Sequence, residues 1–367
     1  MEISRDSQAS ILLVELTRLG DVLSAIPAVA TIRCWFPNAS ITLLTRTPYT
    51  AFLREAVSGV RFFELPDSRT IGGFLSLLLL VRRTRWSLAC SLGPGRSNGL
   101  TVLLSGAASR VGYLECSPSE TPFRRSNPIF CYGTLPKRVT AFGLESIADR
   151  SLKVCSALGI VEHVNPFPLS ISSSGAAAAQ AVLSLKGIHT GEGYMVIHPF
   201  SGWNYRSWPV THFIELMQLM LDRFRWRIIV MGQISEQQQF QVFRQIFQGN
   251  RRVMILPSSD LIESAEVLRH AVLMIGNDSG PLHLAAALGT PAIGLFGPAE
   301  PSLTAPTPVS PDRLISVYHR LGCSPCDQAR CLYPQNSCMQ QISVAEAMRA
   351  VEHMFQWHTA GAAGSNA

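Results

Sequence analysis

The stretch ILLVELTRLGDVLSAIPAVATIRCWFPNASITLLT, residues 11–45, decides how the rest of the chain is read. Ile11–Leu16 is a short apolar run, the length of a buried strand rather than a helix. Thr17-Arg18-Leu19-Gly20-Asp21 follows as a turn. A helical pattern then continues through Phe36, with Pro27 near its first turns, and Pro37-Asn38 ends it. Ser40–Thr45 is a second strand. Strand, helix and strand in this order form a βαβ unit, which commits the region to a parallel sheet.

Outward from this unit the pattern repeats. Arg61–Leu65, Leu88–Leu92 and Arg110–Tyr113 read as further strands. Phe74–Val81 is far below the roughly 20 apolar residues that span a bilayer, and it leads into Arg82, Arg83, Arg85 and Trp86. It is expected to be a core helix whose basic end complements its dipole, with a helix lying in a membrane interface as the alternative. Residues 114–140, rich in Pro, Ser and Arg, read as an irregular loop, and residues 141–159 as a helix. Ser170–Ala179, rich in Ser, Ala and Gly, suits a linker.

A second alternating series starts at strand Tyr194–His198. It continues with helix His212–Phe224, strand Arg227–Met231, helix Ser235–Phe247 and strand Arg252–Leu256. Helix Ser264–His270, strand Val272–Ile275, helix Leu282–Leu288 and strand Ala292–Phe296 complete it. Val344–Trp357 reads as a closing amphipathic helix, and Thr359–Ala367 as a disordered tail. Two doubly wound α/β domains are therefore expected. In such sheets ligands bind where strands run into helices at their carboxyl ends.

The composition agrees. The chain has 367 residues, 47% hydrophobic and 15% charged, which excludes a disordered protein and suggests about two domains. A net charge of +6 is too mild for a dedicated DNA binder. The excess is uneven: residues 1–153 hold 18 basic and 11 acidic side chains, net +7, whereas residues 154–367 are at −1. The first half is thus the candidate to meet an anionic partner. The polar start MEISRDSQAS carries no secretory pattern, and nine cysteines without one point to a reducing compartment without disulfides. A soluble cytoplasmic protein is expected.

Three loops can carry chemistry. Asp21 lies at the mouth of the first strand, as a general base or as a helix-start carboxylate favoured by the dipole. His198-Pro199-Phe200-Ser201-Gly202-Trp203-Asn204-Tyr205-Arg206 follows a strand with small residues, a hydroxyl and a cation, a combination suited to a diphosphate. Gly276-Asn277-Asp278-Ser279-Gly280-Pro281-Leu282-His283 runs from an apolar strand into a helix, whose N-terminus is an anion site. Its spacing is not that of a nucleophile elbow, so Ser279 is a poor hydrolase nucleophile. Gly93-Pro94-Gly95-Arg96-Ser97-Asn98-Gly99 approximates a dinucleotide loop, but with one residue too many and not at the first strand. Cys323, Cys326, Cys331 and Cys338 have a spacing that can close a tetrahedral zinc or iron site, with free thiols or disulfides as the other readings.

With these loops in place the chain resembles glycosyltransferase family 9, the ADP-heptose:lipopolysaccharide heptosyltransferases. The resemblance is carried by Leu12-Leu13-Val14 through Leu19-Gly20-Asp21-Val22, Pro27-Ala28, Phe36-Pro37, His198-Pro199, Arg206 and Trp208-Pro209. It continues in Gly276-Asn277-Asp278-Ser279-Gly280, in His283 through Pro291, in Phe296-Gly297-Pro298 and in Cys323-Ser324-Pro325-Cys326. It implies a GT-B fold, two Rossmann-like doubly wound domains facing across a cleft. The expected divisions are an acceptor-binding domain at 1–170, a nucleotide-sugar domain at 171–345, and a closing helix with tail at 346–367.

By that resemblance Asp21 is the catalytic base. Ser201, Arg206, Glu236, Asp278, Ser279, Gly280 and His283 hold the donor, Glu236 at its ribose. The implied reaction is inverting transfer of heptose from ADP-heptose to a lipopolysaccharide core acceptor, an anionic lipid-linked glycan, with contact at the cytoplasmic face of the inner membrane. No cofactor is required for transfer, because Arg206, Ser279 and a helix N-terminus can neutralise the departing diphosphate. Another nucleotide sugar, a protein or other glycan acceptor, a catalytically inactive relative and a metal-organised scaffold are the competing readings. The chain departs from the family at Glu15, where a basic residue is usual, at Ser279 for the usual Thr, and at Arg206 for the common Lys.

Overall fold

The computed structural model describes residues 4–5, 7–65, 71–93, 95–114, 137–140, 146–164, 169–189, 191–258, 260–326 and 331–364. The chain divides into two compact units, Met1–Ser170 and Ile171–Ala367.

In the first unit, β1 (Ser10–Val14), α1 (Leu19–Trp35), β2 (Ser40–Arg46), α2 (Thr47–Ala56), β3 (Arg61–Leu65), α3 (Ile71–Arg82) and β4 (Leu88–Ser91) alternate in order. They are followed by α4 (Arg96–Leu104), β5 (Ser109–Leu114), β6 (Lys137–Thr140) and α5 (Ile147–Ala157). The six strands form one sheet in the order β3-β2-β1-β4-β5-β6, parallel throughout. β1 is central, and Ile11, Leu12, Leu13 and Val14 are fully buried. That explains why its sequence is a continuous apolar run rather than an alternation.

The second unit comprises α6 (Ser173–Leu185), β7 (Tyr194–His198), α7 (Val210–Arg223), β8 (Arg227–Gly232), α8 (Phe240–Ile246), β9 (Val253–Pro257), α9 (Leu261–Arg269) and β10 (Leu273–Asn277). After these come α10 (Gly280–Ala287), β11 (Ala292–Phe296), α11 (Pro301–Thr304), β12 (Leu314–Tyr318), α12 (Cys338–Gln341) and α13 (Val344–Gly364). Its sheet order is β12-β11-β10-β7-β8-β9. Counted from the first strand of each unit, both sheets have the order 3-2-1-4-5-6, with the strand order reversing between β1 and β4 and again between β7 and β10. Ligands of doubly wound sheets bind at such reversals, outside the carboxyl ends of the strands. The second core is aromatic, with Trp208, Phe213, Phe240 and Phe243 fully buried. Val344, Ala347, Val351 and Met354 of α13 complete it.

Several sequence expectations are corrected. Ser170–Ala179 is not a linker, because most of it lies in α6: Ser172 Oγ accepts the Gly175 N–H at 3.1 Å, and the run Ala176–Ala179 favours helix. Ser235–Phe247 is not one helix but a 3-10 turn, Ile234–Glu236, followed by α8. There Glu236 accepts the Gln233 N–H at 2.7 Å and tightens the turn. The loop expected over 114–140 ends in strand β6, while residues 115–136 lie outside the described residues. The tail expected to be disordered from Thr359 is helical to Gly364, where alanines of high helix propensity prolong α13. Residues 346–364 lie in the second compact unit. β12 has no counterpart in the sequence reading. Among the described residues no helix is long and apolar enough to cross a membrane.

Candidate active site

At the reversal point of the second sheet, β7 and β10 run side by side with Gly276 opposite His198. A Cβ on Gly276 would sit 2.9 Å from the His198 carbonyl oxygen and 3.2 Å from its Cβ, so only glycine fits there. The next residue, Asn277, is fully buried and staples the two strand-end loops together. Its Oδ1 accepts the Trp208 N–H at 2.9 Å, and its Nδ2 donates to the Pro199 carbonyl at 2.8 Å. Trp208 is anchored in turn by its indole N–H, which donates to the Ile342 carbonyl at 2.9 Å.

This staple sets up a charged cluster. Arg206 ends the 3-10 turn Asn204–Arg206, and its Nη1 lies 3.1 Å from Asp278 Oδ2, a carboxylate only 5% exposed. His283 Nε2 lies 3.8 Å from Asp278 Oδ1, and Thr304 Oγ1 donates to Asp278 Oδ2 at 3.4 Å. Ser279 is the N-cap of α10, but its hydroxyl does not cap the helix. It meets His198 Nδ1 at 3.3 Å and donates to the Asn277 carbonyl at 3.1 Å. Burial holds His198 down to about 4, so the imidazole is neutral at pH 7. The cluster therefore combines a guanidinium paired with a carboxylate, the hydroxyls of Ser279 and Thr304, and the positive end of an eight-residue helix.

The expected donor residues are thus partly brought together. Arg206, Asp278, Ser279, Gly280 and His283 share one strand mouth. Asp278 pairs with Arg206 and has His283 close by. Ser201 turns inward on its own loop, bonding the Trp203 backbone at 3.2 Å. Glu236 stands at the end of the neighbouring β8, half-buried, with its carboxyl pushed up by burial. Its Oε2 would lie 2.8 Å from a Cβ on Gly232. His198, Asn277 and Thr304 are cluster members without a role in the sequence reading. For His198 the available signal was its place at the last residue of a strand.

The first sheet has its own cluster at the β1/β4 reversal. Asp21 lies in the first turn of α1, half-exposed, with its Oδ2 accepting the Arg18 N–H at 3.3 Å. Arg46, at the end of β2, donates to the Leu16 carbonyl at 2.7 Å. Tyr49 belongs to the same group: burial raises its phenol, and Arg46, Arg18 and Asp21 act on it as neighbouring charges. Neither Arg46 nor Tyr49 was singled out by the sequence.

Glu15, just past β1, is 1% exposed. Its Oε1 accepts the Thr17 hydroxyl at 2.5 Å, the Thr17 N–H at 3.2 Å and the Asn98 amide at 3.1 Å. Burial raises its carboxyl to about 7, and Asp21 pushes it in the same direction. Gly93 makes room for this carboxyl, because a Cβ there would lie 2.5 Å from Glu15 Oε2.

The four cysteines share one segment. Burial raises the Cys338 thiol to about 11, and Cys326, Cys323 and Cys331 add to the effect. Four thiols suit zinc or iron by chemistry, yet among the described residues no three His, Cys, Asp or Glu side chains come together as a metal site. Cys338 starts α12, its Sγ 3.0 Å from a Cβ position on Gly297.

Two doubly wound parallel units, with a guanidinium, a hydroxyl and a helix N-terminus at the reversal point of the second, define the GT-B class of glycosyltransferases. The family model for glycosyltransferase family 9 (heptosyltransferase) matches residues 148–336, and the chain belongs to that family. It is similar to lipopolysaccharide heptosyltransferase 3 of Escherichia coli, 22% identical over 289 residues that cover 77% of this chain and 81% of that protein. Its fold matches a family 9 glycosyltransferase from Veillonella parvula with a TM-score of 0.78 at 17% identity, covering 96% of this chain and 98% of that one. It also matches the ADP-heptose lipopolysaccharide heptosyltransferase II of E. coli, with a TM-score of 0.73 at 17% identity over 95% and 99% of the two chains.

Proposed function

We propose that this glycosyltransferase moves heptose from ADP-heptose to a hydroxyl of a lipopolysaccharide core acceptor with inversion. The observation that carries the reading is the Arg206–Asp278–His283 cluster with Ser279 at the N-terminus of α10. Asp21 accepts the proton of the acceptor hydroxyl, whose oxygen attacks the anomeric carbon as the bond to the diphosphate breaks. Arg206 and the α10 N-terminus neutralise the charge that develops on the departing phosphate, and Asp278 keeps Arg206 in position for this. Glu236, at the neighbouring strand end, takes the nucleotide ribose.

The experiment is a thermal-shift panel with ADP, UDP, GDP and NAD. At a hundred times its dissociation constant a ligand stabilises by about 2.7 kcal/mol. Selective stabilisation by ADP supports heptose as the sugar, UDP or GDP selectivity replaces it, and stabilisation by NAD alone sinks the reading.

The acceptor is lipid-linked and anionic in this reading, which matches the basic excess of residues 1–153. Helix α3 exposes Leu75 and Leu79 ahead of the exposed Arg82 and Arg83, a face suited to an anionic bilayer. Co-sedimentation with anionic vesicles, abolished in Leu75→Glu/Leu79→Glu, checks this contact.

A further inference from the structure

We infer that Glu15 is the positioning residue of the catalytic base, tying the segment that leads into α1 and Asp21 to the first turn of α4. The tie is a closed set of bonds. Glu15 Oε1 holds the Thr17 N–H and hydroxyl, and Asn98 Nδ2 reaches the same oxygen. Asn98 Oδ1 returns to the Leu16 N–H at 2.9 Å. Leu16 and Thr17 are therefore gripped on both sides by a fully buried amide and a carboxyl, only a few residues before Asp21 at the start of α1. Gly93 makes room for the carboxyl, and Asn98 reaches the Gly93 carbonyl at 3.4 Å. Nothing in the transfer reaction itself calls for a buried acid here, and a basic side chain could not accept these bonds.

Among the groups packed around Glu15, the charge acting on it is Asp21, on α1. Thr17 and Asn98 are neutral, and the Arg46 guanidinium at the end of β2 is engaged with the Leu16 carbonyl.

The inference rests on the reading of Asp21 as base, and the two are tested separately. If Asp21→Asn keeps full turnover, the base reading falls. If it loses turnover while ADP still stabilises the protein, the base reading stands and Glu15 is tested next. kcat and the donor KM are then measured for the wild type, for Glu15→Ala, which removes the acceptor of these bonds, and for Glu15→Gln, which keeps an acceptor oxygen in place. Glu15→Ala is expected to lower kcat roughly tenfold with the donor KM unchanged, and Glu15→Gln to recover most of the loss. An unaltered kcat in Glu15→Ala, or a fall in kcat and a rise in donor KM together, would overturn the inference. Asn98→Ala provides an independent check should Glu15→Ala fail to fold. Loosening the same loop is expected to lower kcat by roughly tenfold at every pH, as small misplacements of a reacting group do, with the donor KM unchanged. An unaltered kcat in Asn98→Ala would contradict the tie.

Discussion

The two units solve one problem in opposite ways. Each is a six-stranded parallel sheet of the same strand order, and each buries a carboxyl at its reversal point, Glu15 in the first and Asp278 in the second. Asp278 is given a cation, Arg206 at 3.1 Å. Glu15 is given neutral donors and a neighbouring carboxylate, and burial raises it to about 7. The topology thus provides the mouth of a site, and the residues near it decide whether that mouth holds an ion pair or a carboxyl that titrates near neutrality. A buried charge needs a partner or must give up its charge, and the two reversal points show one answer each.

The sharpest way to break the comparison is Asp21→Asn. With Asp21 as the proposed general base, this variant is expected to cut turnover by about 10²–10⁴ while leaving the ADP-induced thermal shift intact. Arg206→Ala comes next. It leaves Asp278 buried without its cation and is expected to destabilise the fold by about 3 kcal/mol, measured by denaturant unfolding. Arg206→Ala/Asp278→Asn should recover most of that loss, and a double variant no more stable than the single would mean the pair is not coupled.

For Glu15 the sign is reversed. Its carboxyl is raised in the folded state, so the native protein binds the extra proton between pH 4.5 and about 7, and stability falls as pH rises through that window. Glu15→Gln is therefore expected to gain on the wild type by about 2–3 kcal/mol from pH 4.5 to pH 8.5, read as diverging Tm values. His198 works the other way. It is held down to about 4, and its contribution is lost as pH falls below 6.5. The smallest effect expected is from Asn277→Ala, which strands the Trp208 N–H and the Pro199 carbonyl at about 1–3 kcal/mol, with a weaker ADP shift because the Arg206 turn loosens.

Much of this was legible in the sequence. The apolar run at Ile11–Val14 and the glycine-flanked loop at 276–280 place the strand mouths correctly, because buried parallel strands and helix starts both have local signatures. Burial and pairing are not local. Glu15 reads as a charge reversal beside the base, yet its neutral partner Asn98 is 83 residues away in sequence. Asp278 reads as a donor ligand, and only the fold brings Arg206 from another loop to claim it. The alanines of α6 mislead in the other direction, since a composition typical of linkers is also the best helix former once a serine caps it.

The seal that α13 places on the second core also bears on how the protein is made. By residue 170 the first unit has all the strands of its sheet and can fold as the chain emerges. The second unit cannot. Trp208 is held by the Ile342 carbonyl, and its core is closed by Val344, Ala347, Val351 and Met354. The second unit would therefore stay open through most of its own synthesis, and a ribosome stalled before residue 344 would display a finished first unit attached to an unsealed second one.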